Sequence, residues 1–123
     1  GTNHCFARLI FSSTKDLRRE STLGVYSKQL YLRTSVITIR IPPLRQRESD
    51  IVNLAKYFLG IYSHRERKAV GLGNDAEYVL RGLAWEGNIH ELKNTMNRAV
   101  VFADEGELLS AGVLAGVIEQ AAN

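Results

Sequence analysis

The spacing of hydrophobic positions along this chain changes once, and the change falls at a pair of prolines. Before Pro42-Pro43 the apolar residues run together or alternate. Phe6-Ala-Arg-Leu-Ile-Phe11 is nearly continuous, the pattern of a strand covered on both faces in a parallel sheet. In Val36–Ile41, the side chains of Ile37, Ile39 and Ile41 share one face while Val36, Thr38 and Arg40 share the other. That alternation predicts a second strand with one drier side. Between the two, Asp16 to Gly24 and Gln29 to Ser35 read as short helices, the first closed by its glycine. Proline can continue neither a ladder nor a helix, so Pro42-Pro43 marks a boundary between two units.

Beyond the prolines the period becomes that of a helix. Ile51, Leu54, Ala55, Phe58, Leu59 and Tyr62 fall on one helical stripe, with Ser49 or Asp50 expected as its N-cap. His64-Arg-Glu-Arg-Lys68 reads as a charged helix end and Gly71-Leu-Gly-Asn74 as a turn. Asn74 with Glu77 three residues on resembles a capping box opening a helix to about Leu83. Trp85-Glu-Gly-Asn88 is a predicted turn with Trp85 as a core anchor. Ile89, Leu92, Met96, Ala99, Val100 and Ala103 form the stripe of the next helix. Ser110 opens the last one, which buries Val113, Leu114, Val117 and Ile118. The expected architecture is an α/β remnant over residues 1–43, incomplete as a sheet, followed by a four-helix bundle over 44–123. A lone apolar strand leaves edges and faces uncovered, so the chain by itself is expected to self-associate.

Composition narrows the class without naming it. A chain of 123 residues can bury roughly two thirds of its unfolded surface, enough for one core. With 45% hydrophobic and 24% charged residues it fits neither a disordered nor a membrane-spanning class, and no apolar run suggests a span or a signal peptide. A single cysteine, Cys5, rules out an internal disulfide and fits a reducing compartment. His4, His64 and His90 are far apart and lack metal-ligand spacing, so no metal site is expected. The net charge of +3 permits contact with nucleotide or nucleic acid and does not demand it.

Val36-Ile-Thr-Ile-Arg-Ile-Pro-Pro-Leu-Arg-Gln-Arg-Glu-Ser-Asp-Ile51 resembles a signature of bacterial sigma-54 activator ATPases, V-x-I-x-I-P-P-L-R-x-R-x-x-D-I. In that family the phrase joins the last strand of an AAA+ nucleotide-binding core to a helical lid. The resemblance runs from about Arg8 to Leu114, and implies that residues 1–43 are the end of the core and 44–123 the lid. It implies that Arg45, Arg47, Asp50 and Ile51 line the adenine side of a nucleotide pocket. Arg8-Leu-Ile-Phe-Ser-Ser-Thr-Lys-Asp-Leu17 is similar to R-I-I-A-A-T-N-R-D-L, placing Thr14 at the family's sensor asparagine. A threonine hydroxyl is shorter and has one rotatable donor.

Two further stretches extend the match. Gly24-Val-Tyr-Ser-Lys-Gln-Leu-Tyr-Leu-Arg-Thr-Ser-Val36 resembles G-R-F-R-E-D-L-Y-Y-R-L-N-V, whose two arginines face the ATP of a neighbouring subunit. Ser27 replaces the first and Arg33 keeps the second, the implied arginine finger in trans. Lys28, beside Ser27, lacks the planar fork of an arginine. Leu83-Ala-Trp-Glu-Gly-Asn-Ile-His-Glu-Leu-Lys-Asn94 resembles L-x-x-Y-x-W-P-G-N-V-R-E-L-x-N, in which the glycine and asparagine cap the lid helix and the arginine is a second sensor. His90 stands at that arginine and Glu86 at the proline. Histidine is shorter than arginine and its charge depends on pH.

The sequence has no G-x-x-x-x-G-K-[ST] loop and no acidic pair at a strand end, so the chain alone is expected neither to hydrolyse ATP nor to bind it tightly. By resemblance, a parent protein would use ATP with magnesium and assemble with copies of itself into a ring in the cytoplasm. It would meet a sigma factor of RNA polymerase and DNA through parts outside this sequence, and no membrane. A different class of function also fits: Asn74–Leu83, the turn through Gly87, and the helix from Ile89 carrying His90, Lys93, Asn94, Asn97 and Arg98 form a candidate DNA-binding helix-turn-helix.

Overall fold

The structure, a computed structural model, describes residues 7–122. Phe6, which opens the first expected strand, and His4 and Cys5 lie outside the described residues. The chain divides into two units, Gly1–Arg40 and Ile41–Asn123.

In the first unit α1 (Leu17–Thr22) and α2 (Lys28–Thr34) pack on each other. Each has a local cap: Asp16 accepts the Arg19 N–H at 3.3 Å, and Ser27 accepts the Leu30 N–H at 3.4 Å. Gly24, at φ 79°, takes the left-handed turn after α1, while the N–H groups of Val25 and Tyr26 both reach the carbonyl of Glu20. The two expected strands differ from expectation. Among the described residues, neither 7–11 nor 36–41 pairs in a ladder. A strand exists only through hydrogen bonds to neighbours, and an apolar pattern cannot supply them. Ile10 is consequently 89% exposed and Ile37 83% exposed, with Leu9, Phe11 and Ile39 also open to solvent. The 123-residue chain is therefore expected to self-associate at micromolar concentration. A scattering mass that stays at 13.8 kDa on concentration would refute this.

The second unit is built on α3 (Glu48–Glu66), which lies against α4 (Asn74–Gly82) and α5 (Asn88–Phe102), with α6 (Ala111–Ala122) closing against α4 and α5. The α3 stripe behaves as its spacing predicts. Ile51, Ala55, Phe58, Leu59 and Tyr62 are buried, and Leu54 packs at the edge. From α5 come Leu92, Met96, Ala99 and Val100, from α4 Ala76 and Leu80, and from α6 Leu114 and Val117. Ile89 and Val113, expected in the core, stay exposed at the first turns of their helices.

Three local features depart from the sequence expectations. A 3-10 turn, Leu44–Gln46, feeds directly into α3, so Arg47 occupies the N-cap position without a side-chain cap, and Ser49 and Asp50 lie inside the first turn. At α4 the N-cap is Gly73, and Asn74 is already helical. Asp75 takes over: one oxygen accepts the Ala76 N–H at 2.9 Å and the other the Ala111 N–H at 3.0 Å, tying the starts of α4 and α6 together. Glu77 turns instead to Lys56, at 3.0 Å, and Arg81, at 3.7 Å. Finally, the expected turn at Gly71 is a short strand, β1 (Gly71–Leu72), paired in parallel with β2 (Leu108–Leu109). The Gly73 N–H donates to the carbonyl of Leu109 at 2.9 Å, and a Cβ at Gly73 would stand 2.7 Å from that oxygen. Only glycine admits this approach.

At the far end of the bundle the Lys68 ammonium closes α5, donating to the carbonyls of Val100, Val101 and Ala103 at 3.3, 3.0 and 2.8 Å. The Val100 carbonyl also takes the Ala103 N–H at 3.2 Å, and the ammonium gives the other carbonyls at this helix end a donor.

Candidate functional site

The chain runs into the helical unit in extended form through Ile41–Pro43, and Pro43 at φ −62° and ψ 155° sets up the 3-10 turn. Leu44 then plunges into the core at 1% exposure. Facing this segment is the start of α5, shaped by two residues in left-handed conformation, Trp85 at φ 47° and Asn88 at φ 55°. Such a backbone is costly for a bulky side chain and is held by its surroundings. The indole of Trp85 is 3% exposed, and its Nε1–H donates to the carbonyl of Leu80 at 2.7 Å. The Asn88 N–H closes the turn onto the carbonyl of Trp85 at 2.8 Å.

Gly87 is the N-cap of α5, and its N–H is taken by Glu91 Oε2 at 2.7 Å. A Cβ at Gly87 would stand 2.8 Å from Glu91 Cβ, which explains the glycine. Asn88 does not cap the helix as the resemblance implies. Its Oδ1 accepts the Leu44 N–H at 2.9 Å, across to the proline segment.

Between the two lies a solvent-open cleft of about 470 Å³. Ile41, Pro42, Pro43, Leu44 and Arg47 form one wall; Gly87, Asn88, Ile89 and His90 form the other. Apolar surface from the prolines and Ile89 suits a flat ring. At the first turn of α5 the positive end of a 15-residue helix dipole is already met by the Glu91 carboxylate, which takes the Gly87 N–H. Arg47 adds a fixed cation, oriented by Asp50 Oδ2 at 3.0 Å from its Nε.

Of the residues singled out in the sequence, Arg47 and His90 line this cleft together, with Asp50 behind Arg47. Arg45 is exposed on the 3-10 turn and does not line it, and Ile51 is fully buried in the core. In the first unit, Thr14 sits in an open depression with Ser12, Ser13 and Lys15, and Arg33 is exposed in the last turn of α2. Sequence reasoning did not assign Ile89 or the two prolines to a binding surface, nor Asn88 to a long-range bond. The signal for Asn88 was its setting: an asparagine after glycine at a predicted turn is where left-handed backbone is tolerated. Among the described residues no group of acidic, histidine or cysteine side chains could hold a metal ion, and no helix is long and apolar enough to cross a membrane.

Residues 45–123 match the AAA+ ATPase lid domain family. The chain is 47% identical over 104 residues to the transcriptional regulatory protein ZraR of Klebsiella oxytoca, covering 84% of this chain and 23% of that protein. It is 33% identical over 101 residues to the Nif-specific regulatory protein of Azotobacter vinelandii, covering 82% of this chain and 19% of that one. The chain thus spans about a fifth to a quarter of the length of these curated relatives. Among solved structures, NtrX from Brucella abortus in complex with ATP superposes with a TM-score of 0.72 at 28% identity, covering 86% of this chain and 25% of that one. Its complex with ADP gives 0.71, covering 85% and 25%. The chain belongs to the AAA+ ATPase lid domain family, in the form carried by sigma-54-dependent transcriptional regulators.

Proposed function

We propose that this chain is the C-terminal segment of the AAA+ ATP-binding domain of a sigma-54-type transcriptional regulator, in which ATP hydrolysis is weakened or lost. Residues 44–123 serve as the lid and residues 1–43 as the end of the core, contributing subunit-interface elements to nucleotide-dependent assembly of a ring. The observation that carries this is the cleft in which Arg47 and His90 meet beside the Pro42-Pro43 segment. Its apolar wall accepts a purine ring, while Arg47 meets phosphate.

The weakening follows from three residues. Thr14 replaces a longer amide, His90 a fixed cation, and Ser27 an arginine. Ser27 caps α2 instead, so its side chain is committed to the Leu30 N–H. Arg33 is left as the single arginine that would reach a neighbouring subunit's ATP, with magnesium on that nucleotide. Binding and transition-state stabilisation are separable, so nucleotide can still gate the position of the lid after turnover has fallen. Contacts with a sigma factor and DNA belong to other parts of such a protein, which works in the cytoplasm.

The test is a titration of the full-length protein carrying this segment with a fluorescent ADP analogue. Arg47→Ala is expected to weaken binding on the order of tenfold, the scale of one charge-assisted hydrogen bond. Absence of binding by the wild-type protein would overturn the proposal. Steep loss of DNA affinity with salt, displayed by residues 41–123 alone, would favour the helix-turn-helix function in its place.

A further inference from the structure

Leu44 follows two residues that have no N–H, so its amide is the first donor available after Pro42 and Pro43. It is also one of the orphan donors at the start of the 3-10 turn, whose N-cap, Pro43, offers no side chain to satisfy it. The partner comes from 44 residues away, the Oδ1 of Asn88 at 2.9 Å. The other half of the same amide, Nδ2, donates to the carbonyl of Glu86 at 3.4 Å, which leaves the oxygen end facing Leu44. Both residues joined by this bond line the cleft, one on each wall.

We infer that Asn88 is a positioning residue for the cleft: its side-chain carbonyl pins the Leu44 amide and so sets the spacing between the proline wall and the first turn of α5. Two demands meet at this position. The backbone must be left-handed, at φ 55°, which glycine, asparagine and aspartate tolerate. The side chain must also present an acceptor one carbon from the backbone. Alanine meets neither demand, glycine only the first, aspartate both. Without the pin, the proline segment is free to move away from Ile89 and His90, and a ring and its phosphates no longer meet both walls at once. This inference rests on the nucleotide-binding proposal for the same cleft.

Hydrogen–deuterium exchange and ADP affinity, measured on the full-length protein and its Asn88→Gly and Asn88→Asp variants, test it. In peptides covering residues 40–46, Pro42 and Pro43 contribute no exchanging amide, so Leu44 is readily seen. Its amide is expected to be protected in the wild type and in Asn88→Asp, and to exchange on the order of tenfold faster in Asn88→Gly. Affinity for the fluorescent ADP analogue is expected to fall on the order of tenfold in Asn88→Gly. Helix content by circular dichroism should not change, since glycine keeps the turn. If Leu44 exchanges equally fast in the wild type and Asn88→Gly, or if ADP affinity is the same in both, the inference is overturned while the nucleotide proposal stands. If the wild-type protein binds no ADP, the nucleotide proposal fails and takes this inference with it.

Discussion

Trp85→Ala is expected to destabilise the helical unit by about 3–5 kcal/mol, the range for deleting a large buried aromatic side chain. Trp85 is 3% exposed and donates its indole N–H to the carbonyl of Leu80. The substitution opens a cavity in the core and strips the Leu80 carbonyl of a partner. Alanine would also keep the left-handed backbone at φ 47° while losing the packing that holds it there. Glycine removes that strain, so Trp85→Gly should be less harmful than Trp85→Ala by about 1 kcal/mol. That order reverses the usual ranking of the two residues. Urea unfolding followed by far-ultraviolet circular dichroism is the suitable measurement, because Trp85 is the only tryptophan and its fluorescence vanishes with it. A loss below about 0.5 kcal/mol, the scale of an ordinary surface substitution, would mean that the indole is not the anchor its burial indicates.

The second large effect concerns turnover. A full-length protein with Thr14→Asn, Ser27→Arg and His90→Arg is expected to hydrolyse ATP on the order of 10³-fold faster than the natural chain. That is the lower end of what an arginine supplied in trans contributes to phosphoryl transfer. Ser27→Arg also removes the cap of α2, at about 1 kcal/mol, so the gain should appear only where ring contacts hold α2 in place. Adding Arg33→Ala to the triple variant should remove most of the gain. Steady-state phosphate release at concentrations that favour assembly reads both effects. Brisk hydrolysis by the unaltered protein would show that Arg33 suffices and that the three departures are harmless.

The helical unit was legible because burial repeats with the helix period. The stripes of α3 and α5 could be read directly, down to Met96 and Val100 in the core. What escaped has physical reasons. A two-residue strand such as β1 has no period to detect, and its glycines read equally well as a turn. The caps of α3 and α4 were misplaced because cap rules consider one helix at a time. Asp75 instead serves two helix starts at once, and the 3-10 turn moves the beginning of α3 back to Glu48. The unpaired strands are the complementary case: the alternation in Val36–Ile41 is plain, but a pattern specifies only one side of a ladder. Within the candidate site, sequence pointed to Arg47 and His90, which share the cleft. It could not separate Arg45 and Ile51 from them, because neighbours along a chain turn to opposite sides of a helical start.

The parallel pairing of Gly71–Leu72 with Leu108–Leu109 bears on the order of events in folding. It fastens the two ends of the stretch that contains α4 and α5. Bringing those ends together before the helices dock would sacrifice chain entropy that two rungs cannot return. The pairing is therefore expected to form on the native side of the folding barrier, as a latch. Weakening it should speed unfolding of the bundle more than it slows folding.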